Sequence, residues 1–241
     1  MANHHHHHHH SGNNGNLDRL NGKVIECARC PRLAAYIKEV SSAGKKRPRR
    51  FANDKYWARP LPSWGDPNAG LLIVGLAPAA HGGNRTGRMF TGDCSGDWLA
   101  GAMHGSGFAS KPSSVSKDDG LVLHGAYITA AVRCAPPDNK PLPSEIAACA
   151  PYLEAELAIL KNVRVVLALG RIAFGAYCKV AGLKGLEFAH GALYDERQGN
   201  GRMLLASYHP SRQNTNTGRL TWEMWSAIFQ TARSLLLSSS S

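Results

Sequence analysis

The chain has 241 residues and a formal net charge of +11, from 28 lysines and arginines against 17 aspartates and glutamates. This excess of positive charge favours a polyanionic partner, nucleic acid first and an anionic membrane surface second. No apolar run is long enough to cross a bilayer, and the charged start of the chain predicts no secretory signal. Six cysteines in such a chain argue against a disulfide scaffold and favour a metal site or buried thiols.

The two ends of the chain differ in composition from the rest. Residues 1–16 contain the histidine run His4–His10 and a stretch of Ser, Gly and Asn, which is typical of an affinity tag with a flexible linker. Residues 238–241 are all serine and are predicted to form a disordered tail. Residues 17–237 are long enough for one large domain or two small ones, and we interpret them as a single domain.

Four apolar stretches rich in β-branched residues predict strands at residues 71–75, 126–129, 163–170 and 203–208. Because these runs are continuous rather than alternating, they suit a parallel sheet covered on both faces. Helices are predicted between them, at 95–103, 144–160, 172–180 and 221–237, with a break at Pro151. The alternation predicts an α/β fold, a three-layer α/β/α sandwich around a central parallel four-stranded sheet.

The loops that follow Leu76, Thr129 and Tyr208 are where a site is expected, because ligands of such sheets bind beyond the carboxyl ends of the strands. A basic segment, KKRPRR at residues 45–50, precedes the first predicted strand. Taken alone it suits a mobile, solvated loop as well as a phosphate contact. Together with the net charge, it favours contact with a DNA backbone.

Two of these loops carry distinctive motifs. Residues 75–93, GLAPAAHGGNRTGRMFTGD, are rich in small residues, whose backbone can approach a ligand closely and offer N–H groups to an anion. An ordinary glycine-rich loop is the alternative. Residues 208–218, YHPSRQNTNTG, present a histidine before a proline, which is more often structural than catalytic. Its place at a strand end, facing the first motif, favours a functional role.

Four cysteines form the third group of interest. Cys27 and Cys30 are a C-x-x-C pair, Cys134 follows a predicted strand, and Cys149 lies in a predicted helix. One close pair with two distant cysteines can bring four thiolates to a [4Fe–4S] cluster or to Zn²⁺. The spacing does not separate these, and the pair alone suits a redox dithiol. The two other cysteines are interpreted as isolated thiols.

These segments, together with YITAAVRCAPPDNKP at residues 127–141, resemble the family 5 (type b) uracil-DNA glycosylases. The resemblance extends from the C-x-x-C pair to the C-terminal helix. It implies the α/β/α sandwich, with a [4Fe–4S] cluster held by the four cysteines named above. It also implies a monofunctional DNA glycosylase of base excision repair that flips out and excises uracil, and with it hypoxanthine, xanthine and ethenocytosine.

The resemblance also implies roles for individual residues. Phe90 stacks on the flipped base, and His209, in its neutral state, donates a hydrogen bond to uracil O2. Asp93 positions water or stabilises the sugar cation, the alternative being that it only caps the following helix. Asn139 is a further active-site residue. Ala130 stands where sister families read uracil with Asn, which implies a roomier pocket.

Further residues complete the expected site. Those expected at the base are Ala77, Ala79, Ala80, His81 and Gly82. Those expected at the DNA are Arg85, Arg88, Arg212, Gln213, Asn214 and Arg219. The expected partners are double-stranded DNA with deaminated bases and, as a second candidate, single-stranded DNA. We expect a monomer that acts without a membrane, in the cytoplasm and nucleoid of a prokaryote.

Two rival functions stay open at this stage. One is a catalytically weak module that binds damaged DNA on the same fold, which the apolar first motif makes conceivable. The other, ranked last, is a suicidal relative that bonds covalently to DNA through a histidine. The motif at residues 208–218 follows the pattern of enzymes that turn over.

Overall fold

A mixed β-sheet runs through the centre of the computed structural model, which describes residues 6–44, 46–197 and 199–239. Within these residues the sheet has six strands, in the order β1-β3-β2-β4-β6-β5. They are β1 (Trp64–Gly65), β2 (Leu71–Gly75), β3 (Ala126–Ala130), β4 (Val165–Leu169), β5 (Leu193–Asp195) and β6 (Met203–Ser207). The four inner strands are parallel, and the short edge strands β1 and β5 pair antiparallel to them.

The parallel strands are buried because helices cover both faces of the sheet. The helices in the described residues are α1 (His6–Ile25), α2 (Pro31–Ser41), α3 (Gly83–Thr86), α4 (Cys94–Gly105), α5 (Pro143–Ile159), α6 (Arg171–Ala181), α7 (Arg212–Asn216) and α8 (Trp222–Ser239). Helices α4 and α8 cover one face, while α1, α5 and α6 cover the other. In β2, Leu71 and Ile73 join the first core, whereas Leu72 and Val74 join the second. The predicted three-layer α/β/α fold is confirmed.

The prediction of a helix break at Pro151 is wrong. Helix α5 continues through it without interruption. Proline removes one helical N–H donor and crowds the carbonyl of the preceding turn. Contacts of α5 with α1 and α6 hold the helix despite this local cost.

The structure describes parts of the two end segments that were predicted to be a tag and a disordered tail. Helix α1 begins at His6, inside the segment interpreted as tag and linker, and the assignment of residues 1–16 to a tag stays a prediction. Residues 1–5, which carry the first two histidines of the run, and Lys45 of the basic segment lie outside the described residues. So do Ser240 and Ser241 of the predicted tail. Among the described helices, none is both long and apolar enough to cross a membrane.

A buried ion pair joins the end of β3 to α5. Arg133, 1% exposed, places Nη2 2.6 Å from Oε1 of Glu156, which is fully buried. Thr129 Oγ1 donates to the same carboxylate at 2.6 Å, and Ser63 Oγ donates to its other oxygen. This network fixes the backbone immediately before Cys134.

Candidate active site

A cavity of about 410 Å³ lies beyond the carboxyl ends of β2 and β6, and we refer to it as the central pocket. It is lined by Leu76, Ala77, Ala79, Gly83, Met89, Phe90, Asp93, Cys94, Ser95, Asn139, His209, Ser211 and Arg212. The three predicted catalytic residues therefore line one cavity. This is the edge of the sheet at which α/β folds place their ligands.

Phe90 forms one wall of the central pocket. Its backbone adopts a left-handed φ of 53°, which is uncommon for a bulky residue, and its side chain is 8% exposed. The ring lies 5.8 Å from the imidazole of His209, centroid to centroid, with 30° between the planes. Gly75 makes this placement feasible, because a Cβ there would lie 2.5 Å from Phe90 Cε2.

His209 faces Phe90 from the loop after β6. Burial lowers the pKa of its imidazole to about 4, so the ring is neutral at physiological pH. In the part of the chain that the structure describes, no hydrogen bond reaches its ring nitrogens, and the backbone around it is tied down instead. Asn214 Nδ2 donates to the His209 carbonyl at 2.9 Å, and Ser95 Oγ donates to the Pro210 carbonyl at 2.9 Å.

Asp93 is both the N-cap of α4 and part of the pocket wall. Its Oδ1 accepts from the backbone N–H of Gly96 at 2.8 Å. Its other oxygen lies against Gly82, where a Cβ would come within 2.9 Å of Asp93 Cγ. Burial raises the pKa of Asp93, opposed by the Gly96 hydrogen bond and the positive charges of Arg85 and Arg212. Asp93 thus caps α4 and lines the pocket at the same time, so the two interpretations do not exclude each other.

Asn139 lies at the mouth of the central pocket. It is exposed and has a left-handed φ of 56°, directly after Asp138 with φ 54°. Both belong to a turn of 3₁₀ helix, Pro137–Asn139, in the loop after β3. The turn aims Asn139 at both the central pocket and the cavity beside it.

That second cavity, of about 670 Å³, is called the outer cavity here; it shares Ala79, Asp93, Cys94, Asn139 and Arg212 with the central pocket. Of the small residues predicted to contact the base, only Ala77 and Ala79 line the central pocket. The remaining three, Ala80, His81 and Gly82, line the outer cavity instead. His81 Nδ1 bonds to the Tyr56 hydroxyl at 2.7 Å, and burial, with nearby Arg85, lowers the pKa of His81.

Two of the residues predicted to contact DNA are largely enclosed, and their role at DNA stays a prediction. Arg88 is 7% exposed, pairs with Asp119 at 3.0 Å and donates to Ser114 and Thr91. Arg85 is 13% exposed at its side chain, and all three of its guanidinium nitrogens are engaged. They bond to the His81 carbonyl, the Gly92 carbonyl and Asp54. Through these bonds both arginines hold the first motif in shape. The sequence alone did not reveal that the fold encloses these two cations.

The other predicted DNA contacts lie near the pocket mouth. Arg212, Gln213 and Arg219 are exposed, and none of them forms an ion pair within the described residues. Arg219 lies over the Tyr208 ring at 4.8 Å. Asn214 is half-buried and closes its own loop. Sequence reasoning missed Phe51, which packs under Arg50 and Arg85 in the outer cavity; its place directly after the basic segment was the available signal.

The four cysteines line one small cavity of about 140 Å³ between α2, α5 and the loop after β3. Burial raises the pKa of Cys134 to about 12, and the three neighbouring thiols act in the same direction. In the described part of the chain, no group of three or more His, Cys, Asp or Glu side chains is arranged to hold a metal ion. The cluster therefore stays a prediction, and the structure adds that the thiols face one space.

Comparison with known proteins defines the class. Residues 62–233 match the Uracil DNA glycosylase superfamily, a range that holds the whole sheet and the central pocket. The fold is thus that of the uracil-DNA glycosylase superfamily, and the expected class of enzyme, a DNA glycosylase, is confirmed.

Similar proteins narrow this class further. The chain is 54% identical over 211 residues to a type-5 uracil-DNA glycosylase of Thermus thermophilus, covering 87% of this chain and 93% of that protein. It is 46% identical to type-5 enzymes of Mycobacterium bovis, covering 93% and 83%, and of Pyrobaculum aerophilum, covering 90% and 92%. A type-4 uracil-DNA glycosylase of Pyrobaculum aerophilum is 33% identical, covering 65% and 74%. The chain belongs to the type-5 uracil-DNA glycosylases.

Proposed function

We propose that this protein takes uracil out of the DNA stack into the central pocket and hydrolyses its N-glycosidic bond. The observation that carries the proposal is the convergence of Phe90, Asp93 and a neutral His209 on one cavity at the carboxyl end of a parallel sheet. The type-5 relatives, which share about half of the sequence, support uracil as the base.

The base is held by stacking and by one donor. The face of Phe90 is the only aromatic surface besides His209 among the residues that line the central pocket. Cleavage places negative charge on the departing uracil, and a fixed donor in a dry site stabilises that charge more strongly than water does. A neutral imidazole serves as this donor through one N–H, without any protonation step.

The carboxylate of Asp93 acts on the opposite end of the breaking bond. Its Oδ1 is held by the Gly96 N–H, so the orientation of the group is fixed before substrate binds. Positive charge develops on the sugar as the bond breaks, and a partly desolvated carboxylate stabilises it and can orient the attacking water. The capping bond thus serves catalysis by holding Asp93 in place.

Exposed polar side chains beside the central pocket supply the DNA contact. Arg212 lines the pocket itself, Arg219 and Asn214 line an adjoining cavity with His209, and Gln213 is exposed between them in the chain. Contacts to phosphate position the protein, whereas the pocket selects the base. We infer that the partner is double-stranded DNA with deaminated bases, with single-stranded DNA as a second candidate, bound by a monomer in the prokaryotic nucleoid.

We propose that the cavity lined by cysteines holds a [4Fe–4S] cluster. Cys27, Cys30, Cys134 and Cys149 supply four sulfur ligands from three separate segments, which is the donor set that such a cluster takes. When bound, the cluster would tie the α1–α2 segment to the sheet domain. A brown sample with an absorbance shoulder near ~400 nm supports this assignment, whereas a colourless zinc protein contradicts it.

The pocket has room for bases larger than uracil. Its volume of about 410 Å³ and its continuity with the outer cavity support hypoxanthine, xanthine and ethenocytosine as further substrates. Ala130, which the sequence linked to this breadth, is 1% exposed and is not among the pocket residues. The breadth thus rests on the shape of the pocket rather than on that position.

A single-turnover assay on a U·G duplex, read as strand breaks in alkali, tests the proposal. Asp93→Asn keeps an N-cap of equal quality but removes the charge, so we expect the rate of base release to fall by about 10² or more with DNA affinity retained. Asp97→Asn, one turn further along α4, is the matched control and should stay near wild-type. A protein that binds the duplex without releasing base would instead be the damage-binding module.

A further inference from the structure

His190 lies in the loop between α6 and β5, outside the pocket, and contacts the residue that precedes His209. Its Nδ1 accepts a hydrogen bond from the Tyr208 backbone N–H at 3.0 Å. The two rings lie 4.9 Å apart, centroid to centroid, with 33° between their planes. The side chain therefore holds the chain where β6 ends and the catalytic loop begins.

The hydrogen bonds of His190 define its tautomer. An imidazole nitrogen that accepts from an N–H is unprotonated, so the ring proton belongs on Nε2. Burial lowers the pKa of His190, opposed by the nearby backbone of Met224 in α8, in agreement with a neutral ring.

His209 depends on its backbone for its position, since no described residue bonds to its ring. Three ties hold this backbone: His190 to Tyr208 N–H, Asn214 to the His209 carbonyl, and Ser95 to the Pro210 carbonyl. Ser207 Oγ adds a bond to the Tyr208 carbonyl at 2.9 Å. On the N-terminal side of His209, Gly170 N–H also donates to the Ser207 carbonyl at 2.8 Å, and the His190 tie is the side-chain bond from a distant segment that reaches the residue next to His209.

We propose that His190 is a positioning residue for the glycosylase reaction, and that its unprotonated Nδ1 sets the placement of the His209 ring against the departing base. The proposal rests on the proposed function of His209. A displacement of a donor by about 1 Å can lower a rate by roughly 10²-fold, so one backbone hydrogen bond next to the donor is sufficient to matter. His190 touches no substrate itself.

Two substitutions separate the two nitrogens. His190→Asn places an amide oxygen near the position of Nδ1 and keeps the acceptor for Tyr208 N–H, whereas His190→Gln carries its amide near the position of Nε2 and lacks that acceptor. His190→Leu removes both nitrogens. We expect the single-turnover rate on a U·G duplex to stay within about threefold of wild-type for Asn and to fall by about 10- to 100-fold for Gln and Leu. The Kd for the duplex should change by less than about threefold in all three.

The outcomes distinguish this proposal from its premise. If wild-type protein releases no uracil, the proposed function fails, whatever His190 does. If wild-type protein is active and the Leu variant is equally fast, His190 does not position His209. Failure of the Asn variant to restore the rate, in protein with a wild-type melting temperature, also overturns the proposal. A ¹⁵N spectrum in which His190 Nδ1 carries the proton at neutral pH overturns it without reference to activity.

Discussion

His209 shows how burial sets the chemistry of a single side chain. Its pKa of about 4 lies well below the usual value of 6.5, because the charged ring would lose its hydration in the pocket. Protonation would turn both nitrogens into donors and add a cation beside the developing sugar cation. A neutral ring avoids that cost and can still donate one hydrogen bond, as proposed for the departing base.

The same shift predicts how stability depends on pH. Between pH 6.5 and 4 the unfolded chain binds a proton at this position and the folded protein does not, so the free energy of unfolding falls as the pH falls. We expect His209→Gln to reduce the loss between pH 7 and 4.5 by about 1 to 2 kcal/mol, measured by urea denaturation. Asp93, whose pKa is raised, acts in the opposite sense, since its contribution is present at low pH and lost as the pH rises. If wild-type protein and the His209→Gln variant show the same pH dependence of the free energy of unfolding, the low pKa assigned to His209 is contradicted.

Gly75 is a second residue whose role is steric. A methyl group there would overlap the Phe90 ring, at 2.5 Å from Cε2 and 2.8 Å from Cζ. We expect Gly75→Ala to displace the ring and to lower uracil release by about 10-fold or more, since misplacement of a substrate-positioning group carries such a cost. Gly175→Ala in α6 is the control, because a Cβ there meets nothing within 4 Å and alanine favours a helix. Equal activity of both variants would show that the ring can move without loss.

At the scale of elements, the link between β3 and α5 depends on buried charge. Glu156 is fully buried and neutralises Arg133, so removal of its charge leaves a buried guanidinium without a counter-ion. We expect Glu156→Gln to lower the free energy of unfolding by about 3 to 5 kcal/mol in chemical denaturation. Glu154→Gln, on the exposed side of the same helix, should change it by less than about 0.5 kcal/mol. A mild effect at Glu156 would mean that water or relaxation solvates Arg133.

The helices and strands also show where the local sequence pattern is sufficient to predict secondary structure. The four inner strands were predictable because continuous apolar runs bounded by turn residues are characteristic of a doubly covered parallel sheet. The edge strands Trp64–Gly65 and Leu193–Asp195 were not, since a strand of two or three residues has too few positions to show a period. The uninterrupted helix through Pro151 was also not predictable, because packing against α1 and α6 decides it.

At the scale of the whole molecule, the position of each charged side chain matters more for DNA binding than the total net charge. The net charge of +11 includes Arg85, Arg88 and Arg133, which are enclosed and paired. Arg212 and Arg219 are exposed, and they are the cations proposed to meet DNA beside the pocket. The field of the whole molecule attracts DNA, but an arginine that stays enclosed and paired is not expected to replace counterions on a phosphate.

Salt dependence of binding tests this distribution. We expect Arg212→Gln to reduce the slope of log Kd against log salt concentration by about 0.9, the value for one phosphate contact on duplex DNA. Arg164→Gln, at the amino end of β4 and thus the opposite edge of the sheet, should leave the slope unchanged. Titrations by fluorescence anisotropy over a range of salt concentrations measure both. Equal slopes in all proteins would place the DNA elsewhere.

The sequence by itself determined the fold class, the chemistry-bearing motifs and the edge of the sheet at which they meet, because apolar runs and their alternation with helices along the chain are local patterns. Only the tertiary structure decided which arginines are enclosed, that Ala80, His81 and Gly82 face the outer cavity, that Asp93 caps α4 while lining the pocket, and that His190 accepts a hydrogen bond from Tyr208 N–H. The physical reason is that burial and hydrogen-bond partners depend on segments far apart in the chain, which meet only when the layers pack.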